Sequence, residues 1–149
     1  MNVSEFREKI NPNSALQIDD NNYTIRQVIR FRFDDGTYYI KCFLNDGYVL
    51  ADDLDENSFI LVEEIKTPFN QPFPKNLEFK GIKFNFVYEA HAIAEEIWGE
   101  EIFKKGESER FWDYQSEDDH YLSLGIVDST NQRLDFYGKI IPADDLSFK

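Results

Sequence analysis

Apolar residues recur at every second position through the first third of the chain, at Leu16 and Ile18, Tyr23 and Ile25, then Phe31 and Phe33. A period of two sends neighbouring side chains to opposite faces, which suits an extended strand and not a helix. The runs are short because turn residues break them at "DDNN", "DDG" and "NDG". Asp35-Gly36 and Asp46-Gly47 are hairpin signals, since glycine reaches positive φ without steric cost. The pattern predicts a first β-unit over residues 16–66, a meander of short antiparallel strands, after an N-terminal arm or short helix over residues 1–15.

Pro68, Pro72 and Pro74 then fall within residues 67–76. Proline cannot donate to a sheet ladder, so this segment is expected to be a stiff connector, with Phe69 and Phe73 tacking it to the surface beneath. A second β-unit follows over residues 77–149. Its opening "NLEFKGIKFNFVYEA" lies over "ALQIDDNNYTIRQVI", with Leu77 on Leu16, Phe79 on Ile18, Phe84 on Tyr23 and Phe86 on Ile25. Later, "FWDYQSEDDHYLSL" lies over "YYIKCFLNDGYVL", with Asp119 on Asp46 and Tyr121 on Tyr48, at an offset twelve residues larger. Two related units, the second carrying an insertion, account for both matches.

The 149 residues include 14 Phe, 8 Tyr and 2 Trp, and large rings favour pleated, half-buried surfaces. The expected fold is therefore mainly β, with two related antiparallel meanders packed into one compact domain and at most one or two short helices. Only "YEAHAIAEEIWGE" conflicts, because Ala90, Ile93, Ala94, Ile97 and Trp98 fall at helical spacing.

A net charge of −13 argues against nucleic acid and anionic lipid, both of which are held by clustered Lys and Arg. Cys42 is the only cysteine, which excludes an internal disulfide and agrees with a reducing compartment. The start "MNVSEFREKINPNS" has no signal-peptide core, and no stretch approaches the roughly 18 apolar residues of a membrane span. A soluble cytoplasmic chain without direct membrane insertion is expected.

Clusters able to carry chemistry are few. Asp113, Glu117, Asp118, Asp119 and His120 lie together in "RFWDYQSEDDHYLSL", and a solvated hairpin tip explains them without a site. Asp53, Asp55, Asn57 and Glu64 occupy positions 1, 3, 5 and 12 of an EF-hand-like span. Ser58 stands where the sharp turn needs glycine, and Pro68 would cut the exiting helix short. Cys42 sits in a predicted strand, and His91 and His120 have no triad or His-x-x-x-His setting. No phosphate-binding glycine pattern occurs, and no cofactor or metal is expected. Arg26, Arg30 and Arg32 are all even-numbered and would share one strand face as a basic stripe. With Trp112 and Tyr114 they form the candidate partner-binding surface.

"IWGE", "FWDYQSEDDHYLSL" and "LDFYGKIIPADDL" carry a Gly-Glu turn at Gly99-Glu100, a turn glycine at Gly106, and an aromatic–x–Asp–Tyr step ending at Tyr114. Leu122-Ser123 and Gly138 follow. This C-terminal half resembles the family known as domain of unknown function 4178, and "YTIRQVIRF" with the hairpin after it is similar to the family's opening strands. The resemblance implies that residues 88–98 form a strand leading into the Gly-Glu turn. It also implies a bacterial accessory module with no catalytic residues. The expected function is non-enzymatic binding of another protein, through an aromatic-rimmed face or an open strand edge. The alternatives are a small hydrolase with carboxylates in a groove between the halves, and an acidic immunity-type protein that binds a basic toxin.

Overall fold

Residue by residue, side chains along the barrel strands alternate between an interior and an outer face, and part of that outer face is covered by other segments. The computed structural model describes residues 1–149. It begins with α1 (Val3–Lys9), capped by Asn2, whose side chain accepts from the Glu5 N–H. The strands are β1 (Ala15–Ile18), β2 (Asn21–Phe33), β3 (Tyr38–Leu44), β4 (Tyr48–Asp53), β5 (Ser58–Ile65), β6 (Asn76–Phe79), β7 (Ile82–Gly99), β8 (Ser108–Gln115), β9 (His120–Val127), β10 (Asp135–Pro142) and β11 (Leu146–Phe148). The sheet order is β11-β1-β2-β3-β4-β5-β10-β9-β8-β7-β6, and β2 also pairs with β7. That extra pairing closes β2, β3, β4, β5, β10, β9, β8 and β7 into an eight-stranded antiparallel barrel. β1, β11 and β6 are left as outer flaps.

The mainly β fold of two related units is thus present, but the units do not sit side by side as separate meanders. They share one closed wall. Their kinship is visible in the register. Leu16 faces Tyr23 across the β1–β2 hairpin, and Leu77 faces Phe84 across β6–β7. Both hairpins turn on two residues, with Asp19 at φ 53° and Lys80 at φ 52°, as the twist of such hairpins requires. Asp46 and Asp119, matched in sequence, both adopt positive φ, 59° and 65°.

Each unit buries its outer face under its own cover. Outside the first, Phe6 of α1 and Leu16, Ile18 and Leu146 of the flaps pack on Val28, Cys42 and Leu50. Outside the second, the Pro-rich connector and β6 lie on Tyr114, Leu122 and Leu124. Inside the barrel, Ile29 and Phe31 meet Ala92, Ala94 and Phe111. One end is stoppered by Phe103. Gln27, fully buried, donates its amide to the Phe103 carbonyl at 2.8 Å and accepts the Phe103 N–H at 2.9 Å.

Residues 88–98 lie within β7, and two bulges explain their misleading spacing. Phe31 pairs with Ala94 and Arg30 with Glu96, so Glu95 is an extra residue. The inward sequence Ala90, Ala92, Ala94 then resumes at Ile97, a step of three that mimics a helical stripe. A second irregularity between Phe86 and Tyr88 leaves Val87 unpaired. No helix of the chain is long and apolar enough to cross a membrane.

Gly138 marks the tightest point of the wall, because a Cβ there would lie 2.0 Å from the Leu61 carbonyl oxygen and 2.7 Å from Val62 Cα. Neither atom can yield without breaking the β5–β10 ladder. Gly138→Ala is expected to cost at least ~3 kcal/mol in urea denaturation. Gly36→Ala should cost only the ~1–2 kcal/mol of a left-handed non-glycine residue, since nothing lies within 4 Å of its added Cβ.

Candidate functional site

Polar side chains at inward positions are costly in a small barrel, and here they gather on one side of the lumen. Lys41 and Tyr39 come from β3, Glu109 and Asp113 from β8, Tyr121 and Ser123 from β9, and Tyr88 from β7. They line a cavity of about 1330 Å³. The lining continues to the tips of the β2–β3 and β4–β5 hairpins at Gly36 and Glu56, so the barrel opens to solvent at that end.

Two polar groupings occupy the wall. In the first, Lys41 Nζ lies 3.5 Å from Glu109, and the Tyr39 hydroxyl donates to the same carboxylate at 3.5 Å. The ammonium also stands 4.4 Å from the centre of the Phe136 ring, a contact that helps a cation out of water. In the second, Asp113 accepts from the hydroxyls of Tyr121 and Ser123, the latter at 2.6 Å. Tyr88 pairs with Asp113 across the β7–β8 ladder. Burial pushes the Asp113 carboxyl up to about 6, against the pull of the Ser123, Tyr121 and Tyr88 hydroxyls, while nearby Glu109 pushes it further up. The Tyr39, Tyr88 and Tyr121 hydroxyls are likewise raised by burial first, and by the carboxylates beside them.

The chain has four buried acids, Asp52, Glu109, Asp113 and Asp135. Three have a cation: Arg7 at 2.7 Å from Asp52, Lys41 at 3.5 Å from Glu109, and Arg133 at 2.8 Å from Asp135. Asp113 has hydroxyl donors only. This arrangement can bind and orient a positively charged group. For paired acid–base chemistry the second carboxylate would be Glu109, which Lys41 and Tyr39 already hold.

The candidates read from the sequence are scattered by comparison. Arg30 and Arg32 share the outer face of β2, where Glu95 pairs with both, while Arg26 falls in the bulge between Ile25 and Gln27 and pairs with Glu100. Trp112 and Tyr114 lie on β8, separated from β2 by β7. Trp112 packs edge-on to Phe73 at 4.9 Å. Tyr114 is wholly buried and donates its hydroxyl to the Pro74 carbonyl at 2.8 Å, so it belongs to the core under the connector and to no surface. Asp113 is not part of a solvated tip either, unlike Glu117, Asp118 and Asp119, which are exposed at the β8–β9 turn.

The EF-hand-like span is a tight hairpin. Asp53 pairs with Ser58, Asp53 accepts from the Glu56 N–H, and Asn57 accepts from the Val3 N–H. Glu64 lies far along β5, opposite Phe136 of β10. No three His, Cys, Asp or Glu side chains converge as metal ligands do. His91 bridges Asp34 and Asp128, at 2.8 Å each, and the bond to Asp34 leads in raising its pKa. Cys42 is buried in the outer core and its thiol is pushed far up by burial.

Apart from Asp113, which the sequence assigned to a solvated hairpin tip, the lumen residues are not among the sequence candidates, because closure, not local pattern, makes their face an interior. A signal was present: Lys41 in "YYIKCFL" and Asp113 in "FWDY" are charges set among aromatics at alternating positions.

The fold and the lumen define a class, a small closed antiparallel barrel with flaps and a polar, one-ended cavity. The profile of the family described as Domain of unknown function (DUF4178) matches residues 11–141. The chain belongs to that family. No curated protein and no solved structure matches it.

Two outcomes follow from the wall. A carboxyl raised on folding contributes stability that is complete below about pH 3.8 and lost as pH rises through about 6. The stability difference between Asp113→Asn and wild type should therefore shift in the variant's favour by about 2 kcal/mol between pH 4 and pH 7, followed by urea denaturation. Lys41→Met leaves Glu109 buried without a cation and should cost about 3–5 kcal/mol. Lys41→Met with Glu109→Gln should recover most of that loss.

Proposed function

We propose that the chain is a non-enzymatic module that binds another protein, and that it does so through the open mouth of its barrel. The observation that carries this reading is the placement of exposed apolar side chains. Six large ones are exposed, and four of them, Tyr38, Leu54, Val87 and Tyr88, border the cavity. Single exposed apolar residues need no explanation, whereas a ring of them around a concavity marks an interaction site. The bulge that leaves Val87 unpaired contributes to this ring. Strand edges support the reading less well, because the sheet ends in β6 and β11, of four and three residues, where a long edge is what invites an added strand. The basic stripe on β2 supports it least, since its three arginines are paired within the chain.

The test is affinity capture from the native host with wild type and with the double variant Leu54→Asp, Val87→Asp. Both positions are solvent-exposed, so the variant should keep its melting temperature within a few degrees. Wild type should retain a specific partner and the variant should lose it. Undiminished capture by the folded variant would remove the mouth as the interface.

A further inference from the structure

Resting on that reading, we infer that the barrel receives a basic side chain of the partner protein, an arginine or lysine that enters the mouth and pairs with Asp113. Three independent features of the lumen lead there. First, Asp113 is the one buried acid without a cation in the chain. An unpaired carboxylate is costly to bury, and this one is 4 % exposed and faces the cavity. Hydroxyls of Ser123 and Tyr121 hold its two oxygens in place. What it lacks is a positive charge.

Second, nothing already in the wall can supply that charge. The basic side chains on the cavity lining are Arg7, Lys41 and His91. Arg7 is engaged by Asp52, Lys41 by Glu109, and His91 by Asp34 and Asp128. Third, the way in favours a cation. Asp35, Asp53, Asp55, Glu56, Glu89 and Asp119 are on the lining with no arginine or lysine partner within the chain. A low-dielectric wall rimmed with one sign of charge concentrates the opposite sign at its opening.

The occupant is a side chain of a polypeptide and not a free amine because of the rim. Tyr38, Leu54 and Val87 are exposed around the opening, where the backbone and apolar neighbours of an inserted residue would rest. Tyr88 joins rim to interior, being 39 % exposed and paired with Asp113 across the ladder. The cavity, about 1330 Å³, exceeds the roughly 300–1,000 Å³ typical of small-ligand sites.

Purified full-length chain would be titrated with a fluorescein-labelled peptide carrying one arginine between two leucines, and with the same peptide bearing neutral citrulline in its place. Fluorescence anisotropy reads binding. The arginine peptide should bind at least tenfold more tightly than the citrulline peptide. Asp113→Asn, checked for an unchanged circular dichroism spectrum, should bind the arginine peptide about tenfold more weakly and erase the preference. Tyr121→Phe, which keeps the carboxylate, should retain the preference. Equal binding of the two peptides, no binding of either, or full binding by Asp113→Asn overturns the inference. Butylguanidinium competing as strongly as the peptide overturns the choice of a polypeptide occupant. If the host partner is lost by the Leu54→Asp, Val87→Asp variant yet fully retained by Asp113→Asn, the mouth stands as the interface and the inserted charge does not.

Discussion

Seven residue pairs between β2 and β7, from Gln27–Gly99 to Phe33–Ala92, turn a sheet into a barrel. Without them every strand would have two equivalent faces. With them, one face of each strand becomes an interior. The pairing is possible because β7 presents Ala92 and Ala94 where β2 presents Phe33 and Phe31, so large rings cross an interior that small side chains leave open. Gly99 allows the last pair. It has φ +96°, and a Cβ there would meet the Arg26 carbonyl oxygen at 2.5 Å. The Gln27–Phe103 amide pair then seals the end next to that junction.

Closure also decides where stability is stored. The barrel interior alone is a poor core, because it holds Lys41, Glu109 and Asp113 among its rings. Most apolar burial lies instead between the wall and its covers, with a cluster of fifteen buried residues under α1 and the β1 and β11 flaps. The flaps and connector are therefore the outer half of two cores, and the barrel is their shared inner half. Such a division lets the lumen carry charged groups that a single central core could not tolerate.

The strands and hairpins were legible because period-two alternation and Asp-Gly turns act locally. So was the kinship of the units, down to the matched positive φ at Asp46 and Asp119. Closure was not legible. It depends on β2 meeting β7 across 59 to 72 residues, and no local pattern encodes that meeting. The same gap hid the site. "FWDY" shows that Asp113 opposes Trp112 and Tyr114 in facing, yet only the closed wall makes its side the inside and theirs the outside. Tyr88 was equally hidden, since the bulge at Val87 resets which residues of β7 point inward. Arg26, Arg30 and Arg32 were expected to share a face by their even numbers, but a bulge at Arg26 interrupts that alternation, and the glutamates that pair with them, Glu95 and Glu100, arrive in and just after the neighbouring β7.

The order of charges along β8 gives the interior a sense of depth. Glu109 and Asp113 stand four residues apart on one inward face, and Lys41 cancels only the first. Moving down the axis, the wall passes from the exposed acids of the opening to the uncompensated Asp113 carboxylate, and then to the paired Lys41 and Glu109. The tube is electrically a cup. Positive charge has a reason to stop partway, and no reason to pass through.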